Sequence, residues 1–300
     1  MAEEMGERLA ALRGELVGYA YRMLASPFEA EDAVQETLLR AWKHAADYDP
    51  ARGALRTWVY RIATNVCLDM LRAAGRRALC TDFAASGFDE PPLPPGAWVL
   101  PFLEDPAAEA ERRDSVRLAF VAALQHLPPR QRAVLLLRDV LCWHADEVAE
   151  LLETTVPAVT SALQRARGAI RAPDSPAPTP VAAQRELVER YADAFHRYDI
   201  AAIVALLRAD AIAAMPPFRW WIRGAEAIGQ VMAAADGACD GARLLPAWAN
   251  GAPALWQYRA GEPFALIVFD FDGELISGVT TFLGDPVTGL APPTNLRGHP

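Results

Sequence analysis

The sequence predicts a multidomain chain: two all-α domains, the second with a helix-turn-helix, followed by an α+β domain. Three observations predict it. Apolar residues recur at helical spacing through residues 7–74 and again through 112–171. Two proline-rich stretches, 78–111 and 172–180, interrupt that pattern. Beyond the second stretch, helical periodicity gives way to strand-like runs, the order expected of an α+β domain.

The first helical region opens with a stripe of Leu9, Leu12, Leu16, Tyr19 and Met23, broken at Ser26-Pro27. Residues 29–46 read as a second helix, and Asp47 to Gly53 as a loop by their Asp, Pro and Gly content. A third helix runs over 55–74 and stops at Gly75. In the second region, Val116, Phe120, Ala123 and Leu124 form one stripe, and Pro128-Pro129 starts a helix over 130–142. A short helix over 146–152, the turn Glu153-Thr154-Thr155 and a last helix over 156–171 make the helix-turn-helix. That last helix turns Val159, Leu163 and Ala166 inward. In the α+β region, 186–196, 200–207 and 225–234 read as helices. Residues 254–258, 264–271 and 275–283 read as strands, the last two joined at Asp272-Gly273. Asp210 reads as a turn residue after a helix, and the tail beyond 285 as loose.

Length and composition bound the function. Three hundred residues is about two domains' worth of chain. With 52% hydrophobic and 22% charged residues and a mean hydropathy of +0.06, the chain is neither disordered nor a membrane protein. Uncharged apolar runs such as Phe264 to Phe269 are far too short to span a bilayer. The opening Met1-Ala2-Glu3-Glu4 is no secretory signal. Cys67, Cys80, Cys142 and Cys239 have no CxxC spacing, which argues against disulfides and zinc and for a reducing cytoplasm. No metal and no cofactor is expected.

Charge is distributed in blocks. The net charge is −9, which on its own argues against nucleic acid. Residues 52–77, however, sum to +5, with six arginines and one acid, and residues 112–172 sum to +3. The stretch between, 78–111, holds seven acids, six prolines and no Lys or Arg. A local basic face decides phosphate contact more than the global sum does. Trp98, Leu100, Phe102 and Leu103 lie within the acidic stretch and are expected to dock rather than stand bare in a spacer.

Several of these segments carry a resemblance. Asp32-Ala33-Val34-Gln35-Glu36-Thr37-Leu38-Leu39-Arg40-Ala41-Trp42 resembles the helix by which sigma-70-type initiation factors grip core RNA polymerase. Thr57-Trp58-Val59-Tyr60-Arg61-Ile62-Ala63-Thr64-Asn65, with Leu68-Asp69 and Leu71-Arg72, resembles their promoter −10 helix. Leu127-Pro128-Pro129-Arg130-Gln131-Arg132-Ala133-Val134 and Ser161-Ala162-Leu163-Gln164-Arg165-Ala166-Arg167 resemble their −35 domain. These blocks, in family order, are the architecture of the extracytoplasmic-function sigma factors. Leu206 to Ala211, Met215-Pro216-Pro217-Phe218, Trp221-Ile222-Arg223-Gly224 and the terminal hairpin resemble a SnoaL-like (ketosteroid-isomerase-like) cone, which a large subgroup of these factors appends.

The resemblance implies sigma domain 2 at 7–77, an acidic linker at 78–111, sigma domain 4 at 112–171, a second linker at 172–180, a SnoaL-like domain at 181–285 and a tail. It implies polymerase contacts at Asp32, Gln35, Glu36, Leu39 and Arg40. It implies −10 contacts at Tyr48, Arg52, Arg56, Arg61, Asn65, Arg72, Arg76 and Arg77. The arginines position the protein through phosphates, and an unpaired base needs a pocket and nearby cations. Tyr48 is placed either to stack on a base or to pack under its loop, and Trp58 reads as core. For the −35 element it implies Thr155, Ala158, Thr160, Ser161, Gln164, Arg165 and Arg167. Of these, Gln164 and Arg165 are long enough to read base edges. The family's linker passes through polymerase near the RNA exit path, where seven acids would mimic nucleic-acid charge. Cys142-Trp143-His144-Ala145-Asp146 departs from the family's usual helix start.

Enzymes of the SnoaL-like fold place a carboxylate base and a polar oxyanion partner in an apolar cone. Asp193, His196, Tyr198 and Asp210 are the available groups, and none forms a motif that reaches a cone. No catalytic residue is assigned. Met215, Phe218, Trp221, Trp248, Trp256 and Tyr258 are read as core and interface, with a ligand pocket as the alternative. The expected function is a non-enzymatic initiation factor that recruits core RNA polymerase to promoter DNA. Its appended domain acts in cis, with a small ligand or an anti-sigma protein as further possible partners and no membrane. The competing readings are a SnoaL-like isomerase or cyclase tethered to DNA and a helix-turn-helix repressor. The polymerase-grip block argues against the repressor.

Overall fold

The computed structural model describes residues 2–51, 53–73, 77–78, 80–82, 90–103, 117–170, 179–235, 242–284 and 290. The chain divides into two compact bodies. One comprises residues 1–77 with 118–173, the other 78–117 with 174–300.

The first body is helical. The expected N-terminal stripe is two helices, α1 (Ala2–Ala11) and α2 (Arg13–Leu24), parted at Leu12. Ser26 caps α3 (Pro27–Lys43): its hydroxyl accepts from Glu29 N at 3.4 Å, and Pro27 needs no partner at the first helical position. Helix α4 spans Leu55–Ala73, and the expected stop at Gly75 lies outside the described residues. After α5 (Leu118–Gln125) comes α6 (Pro129–Leu135), which widens into a π-helical turn over Leu136–Val140. The helix expected over 130–142 therefore ends early. Trp143 N donates to Leu137 O at 3.0 Å, and Arg138 closes onto the Trp143 carbonyl, so the chain turns there. Helices α7 (Ala145–Leu151) and α8 (Val156–Ala169) form the helix-turn-helix, with Glu153 left-handed in the turn at φ +51°.

One buried arginine ties the helices before and after the interruption into a single body. Arg132 donates to Met23 O, to Gln125 Oε1 at 2.6 Å and to Leu127 O at 3.3 Å, and Gln125 Nε2 reaches Arg22 O. Burial lowers its pKa to about 10, so it stays charged at neutral pH among carbonyl acceptors. Removing those acceptors would strand a buried cation, which makes the junction specific.

The second body packs helices α9 (Val181–His196), α10 (Ile200–Leu206) and α11 (Ala225–Ala234) on one six-stranded sheet. The strands are β1 (Leu207–Ala214), β2 (Trp221–Arg223), β3 (Arg243–Ala249), β4 (Ala252–Arg259), β5 (Glu262–Asp272) and β6 (Leu275–Leu283), in the order β2-β1-β6-β5-β4-β3. Only β1 and β6 run parallel. This is the α+β architecture expected of the C-terminal region. Its core lies between α9 and the sheet, where the Tyr191 and Phe269 rings meet edge to face at 5.0 Å. Helices α10 and α11 approach so closely that a Cβ at Gly229 would sit 2.6 Å from Val204 Cγ2.

Two expectations need correction here. Asp210 is not a turn residue; it lies within β1, paired with Arg208. Strands β1, β2 and β3 were not expected at all. Of these, β1 follows α10 without a break, and β3 joins β4 through Asn250-Gly251, both at positive φ.

The acidic stretch is part of the second body. Trp98 is buried against Ala214, Leu93 and Trp221. Leu93 N donates to Pro217 O at 3.0 Å. Phe102 and Asn250 bond reciprocally: Asn250 N to Phe102 O at 2.8 Å, and Phe102 N to Asn250 Oδ1 at 3.1 Å. Glu90 pairs with Arg219. Described residues 90–103 thus form a strap on the sheet rather than an open spacer.

Candidate nucleic-acid interface

Helix α3 presents one face outward. Its inner face buries Ala30, Ala33, Val34, Thr37 and Ala41 at helical spacing. The opposite face leaves Asp32, Gln35, Leu39 and Arg40 exposed, with Glu36 half-exposed and paired to Arg40 at 2.6 Å. Phe28 and Trp42, both more than 40% exposed, extend the same stripe through positions 28, 32, 35, 39 and 42. Trp42 lies within the expected polymerase-grip segment but is not among the expected contacts, and Phe28 lies just outside that segment. Their spacing with Leu39 was the available signal.

The loop between α3 and α4 frames a cavity of about 160 Å³, lined among others by Asp47, Tyr48, Asp49, Trp58, Arg61 and Glu150. A neighbouring cavity of about 290 Å³ is lined by Arg40, His44, Asp47, Trp58, Ile62 and Asn65. Trp58 serves both. It is half-buried rather than core, and its ring lies 5.5 Å from that of Tyr48. The Tyr48 hydroxyl donates to Gly53 O at 3.3 Å, so the side chain closes the loop and faces the cavity together. An aromatic pair beside a cation is a stacking platform for an unpaired base. Here the cation is engaged, because Arg61 donates to the Glu150 carbonyl at 3.1 Å and to its carboxylate at 3.3 Å. Glu150 belongs to α7, so the helix-turn-helix region reaches the rim of this cavity. Three carboxylates around one guanidinium repel a phosphate.

The remaining basic candidates differ in availability. Arg56 is clamped by Glu15 at 3.0–3.1 Å and stacked on Tyr60 and Trp143, so its guanidinium is engaged although the side chain stays partly exposed. Arg77 is 5% exposed, donating to Leu24 O and pairing with Glu29, so it braces α2 against α3 instead of meeting phosphate. Arg72 is exposed and paired with Asp69, and Asn65 is exposed. Arg52 and Arg76 lie outside the described residues. The unusual Trp143 segment has a structural role, its ring lying 5.2 Å from Tyr60 and joining α7 to α4.

Helix α8 exposes Thr155, Ala158, Thr160, Ser161, Gln164, Arg165 and Arg167, while Val159, Leu163 and Ala166 are buried. Thr155 caps the helix, accepting from Ala158 N, and Thr160 bonds Val156 O. Arg167 is held by Asp139 at 2.7–2.8 Å. Gln164 and Arg165 remain on the outer face with long donors.

In the second body, only Met215 of the six aromatic and sulfur candidates lines the cone's interior. Trp221 packs with Trp98, Trp248 is stacked by Arg185, and Trp256 and Tyr258 lie on the opposite face of β4 from Leu255 and Gln257. Phe218 sits in the turn, its N donating to Met215 O. Asp193 is exposed, His196 Nε2 accepts from Leu244 N at 3.0 Å, and the Tyr198 hydroxyl donates to Met232 O. Asp210 is exposed, its pKa lowered by the hydrogen bond from Arg208. Among the described residues no group of His, Cys, Asp and Glu could hold a metal, and no helix is long and apolar enough to cross a membrane.

Comparison with known proteins places these sites in context. Residues 9–77 match the Sigma-70 region 2 family and residues 117–170 match Sigma-70, region 4. The extracytoplasmic-function (ECF) RNA polymerase sigma factor SigG of Mycobacterium tuberculosis is 44% identical over 305 residues, covering 90% of this chain and 79% of SigG. SigJ of the same organism is 28% identical over 315 residues, covering 96% and 97%. The crystal structure of M. tuberculosis SigJ superposes with a TM-score of 0.67 at 23% identity, over 94% of this chain and 98% of that one, so the fold is shared across both bodies.

Proposed function

The chain belongs to the extracytoplasmic-function sigma factors, which direct core RNA polymerase to promoters, and on that premise we propose that its C-terminal body controls initiation in cis by holding the linker. The observation that carries this is the strap: Trp98 buried against the sheet and Phe102 locked to Asn250. A linker that must thread polymerase has to leave this berth first. We assign polymerase contact to the outer face of α3, with Phe28 and Trp42 added to the expected residues. We assign −10 base capture to Tyr48, Trp58, Arg61 and Asn65, with Arg72 on phosphate. We assign −35 readout to Gln164 and Arg165, positioned by Thr155, Ala158, Thr160 and Ser161. The Arg61–Glu150 pair marks a closed arrangement that opens when the −10 and −35 elements separate the two helical regions.

We read the C-terminal body as non-catalytic. Among the described residues its interior wall carries no carboxylate and no histidine, and Asp193, His196 and Asp210 are engaged or exposed elsewhere. Acid–base isomerisation needs such a group within hydrogen-bond reach of substrate. We place the factor in the cytoplasm, where core polymerase works.

The test is run-off transcription with core polymerase on a promoter library, comparing the full chain, a Trp98→Ala variant and a truncation after Arg171. Promoter-specific transcripts that change in both altered forms support cis control. Unchanged transcription in both removes it and leaves the sigma assignment standing. Neutralising the seven acids of 78–111 should alter initiation or promoter escape; no change would discard charge mimicry by the linker.

A further inference from the structure

We propose that the interior of the C-terminal cone is a binding site for a small neutral molecule, about one aromatic ring in size and carrying a single amide or carbonyl group. The strand register builds its wall. Ile267 pairs with Thr281 and Val279 with Ala213, and all four line the space. Tyr191, Phe195, Trp220 and Met232 close the other side. The space is about 160 Å³ and opens at a rim that includes the exposed Tyr198 and Ala235; its volume is close to the roughly 150 Å³ at which an apolar protein cavity accepts benzene.

Two features choose the ligand's chemistry. First, among the described residues no Asp, Glu, Lys, Arg or His lines this space, so an ionised guest would meet no charged partner there. Second, Gln257 stands on the same wall, beside the small Ala265 that leaves room for it. The residue is 4% exposed, and among the described residues its side-chain amide has no hydrogen-bond partner. Buried polar side chains are seldom left so. An amide offers one acceptor and two donors, which match a carboxamide or carbonyl, and the half-buried Thr281 adds a hydroxyl on the same wall. A purely structural core would place Leu at position 257. The inference rests on the C-terminal body alone, so it stands or falls apart from cis control.

Benzamide is the probe, titrated into the full chain by calorimetry or ligand-observed NMR at about millimolar concentration, where so small a ligand binds. The expected result is saturable binding of one benzamide per chain, with benzoate at least about tenfold weaker. Gln257→Leu should weaken benzamide about tenfold and leave toluene unchanged or tighter. Ala213→Leu, which fills the space, should abolish both, with near-UV circular dichroism confirming the fold; Met232→Phe fills it from α11 should Ala213→Leu not fold. Absence of saturable binding of both benzamide and toluene overturns the site. So does benzamide binding that benzoate equals, or that both filling variants leave unchanged. Benzamide binding indifferent to Gln257→Leu overturns the role given to the amide.

Discussion

Two cavities of the same size, about 160 Å³ each, sit in the two bodies of this chain and have opposite chemistry. The one beside α4 is lined among others by Asp47, Asp49, Arg61 and Glu150 around two aromatic rings; the one in the cone is walled, among the described residues, mainly by apolar side chains, with Tyr191, Tyr198, Thr281 and the amide of Gln257. Volume therefore says little about what each accepts. The first is open to water and its cation is already paired, so its guest must be a planar π-system next to a charged backbone that displaces Glu150. The second is walled mainly by apolar side chains and offers no charged partner among the described residues, so it favours a neutral guest. Loop and helix-terminus residues build the first, which makes it easy to rearrange; paired strands build the second, which makes it rigid.

The largest way to break the comparison is to hollow the core between α9 and the sheet. Phe269→Ala deletes a fully buried ring and should cost about 3–5 kcal/mol. In denaturant titrations the second body's transition should move to lower concentration while the first body's stays in place. A single shifted transition would show instead that the two bodies unfold together.

Trp58→Ala attacks the other cavity. Loss of one stacking platform should weaken binding of a pre-melted promoter by holoenzyme by about 1–3 kcal/mol per base, measured by fluorescence anisotropy, with benzamide binding in the cone untouched. Equal promoter affinity would return Trp58 to a packing role.

Asn250→Gly keeps the left-handed turn and deletes the amide that holds Phe102, so the strap should loosen by about 1 kcal/mol. Faster hydrogen exchange at the Phe102 amide would report it, alongside an altered transcript yield.

Weakening the hold on Arg61 by Glu150→Gln, which removes the carboxylate charge and leaves the backbone carbonyl acceptor, should have a smaller effect. Both side chains are substantially exposed, so the pair is worth about 0.2–1 kcal/mol, and promoter affinity should rise by at most about fivefold. A decrease would mean that Glu150 supports the −10 cavity rather than guarding it.

The smallest effect concerns Asp270, whose pKa burial raises, opposed in part by the charge of Arg117. The folded chain thus holds this proton more tightly than the unfolded chain. Stability of the second body should increase as pH falls from neutrality towards the ordinary carboxylate range, and Asp270→Asn should remove that part of the slope. Thermal midpoints at several pH values measure it.

Much of the helical body was legible because helices announce themselves locally. The buried set Val159, Leu163 and Ala166 and the exposed Gln164 and Arg165 follow from a 3.6-residue period alone. Strands β1, β2 and β3 were not read. The first follows α10 directly, β2 has three residues, and β3 lacks a clean alternation; yet Asn250-Gly251 was a hairpin signal in plain view. Among candidate site residues, arginine counts located the basic region but not the partners. Glu15 and Glu29 lie 41 and 48 residues from the arginines they engage.

The sequence by itself determined the order of domains, the helix-turn-helix, the outward face of α3 and the family, because each depends on short-range periodicity or contiguous motifs. Only the tertiary structure decided which arginines are free, that Trp58 faces a cavity, that the acidic stretch lies on the sheet, and that Gln257 rather than the tryptophans lines the cone. Those depend on strand register and on contacts across tens to more than a hundred residues. A one-residue slip in register exchanges the faces on which Trp256 and Gln257 stand, and nothing local in the chain records that choice.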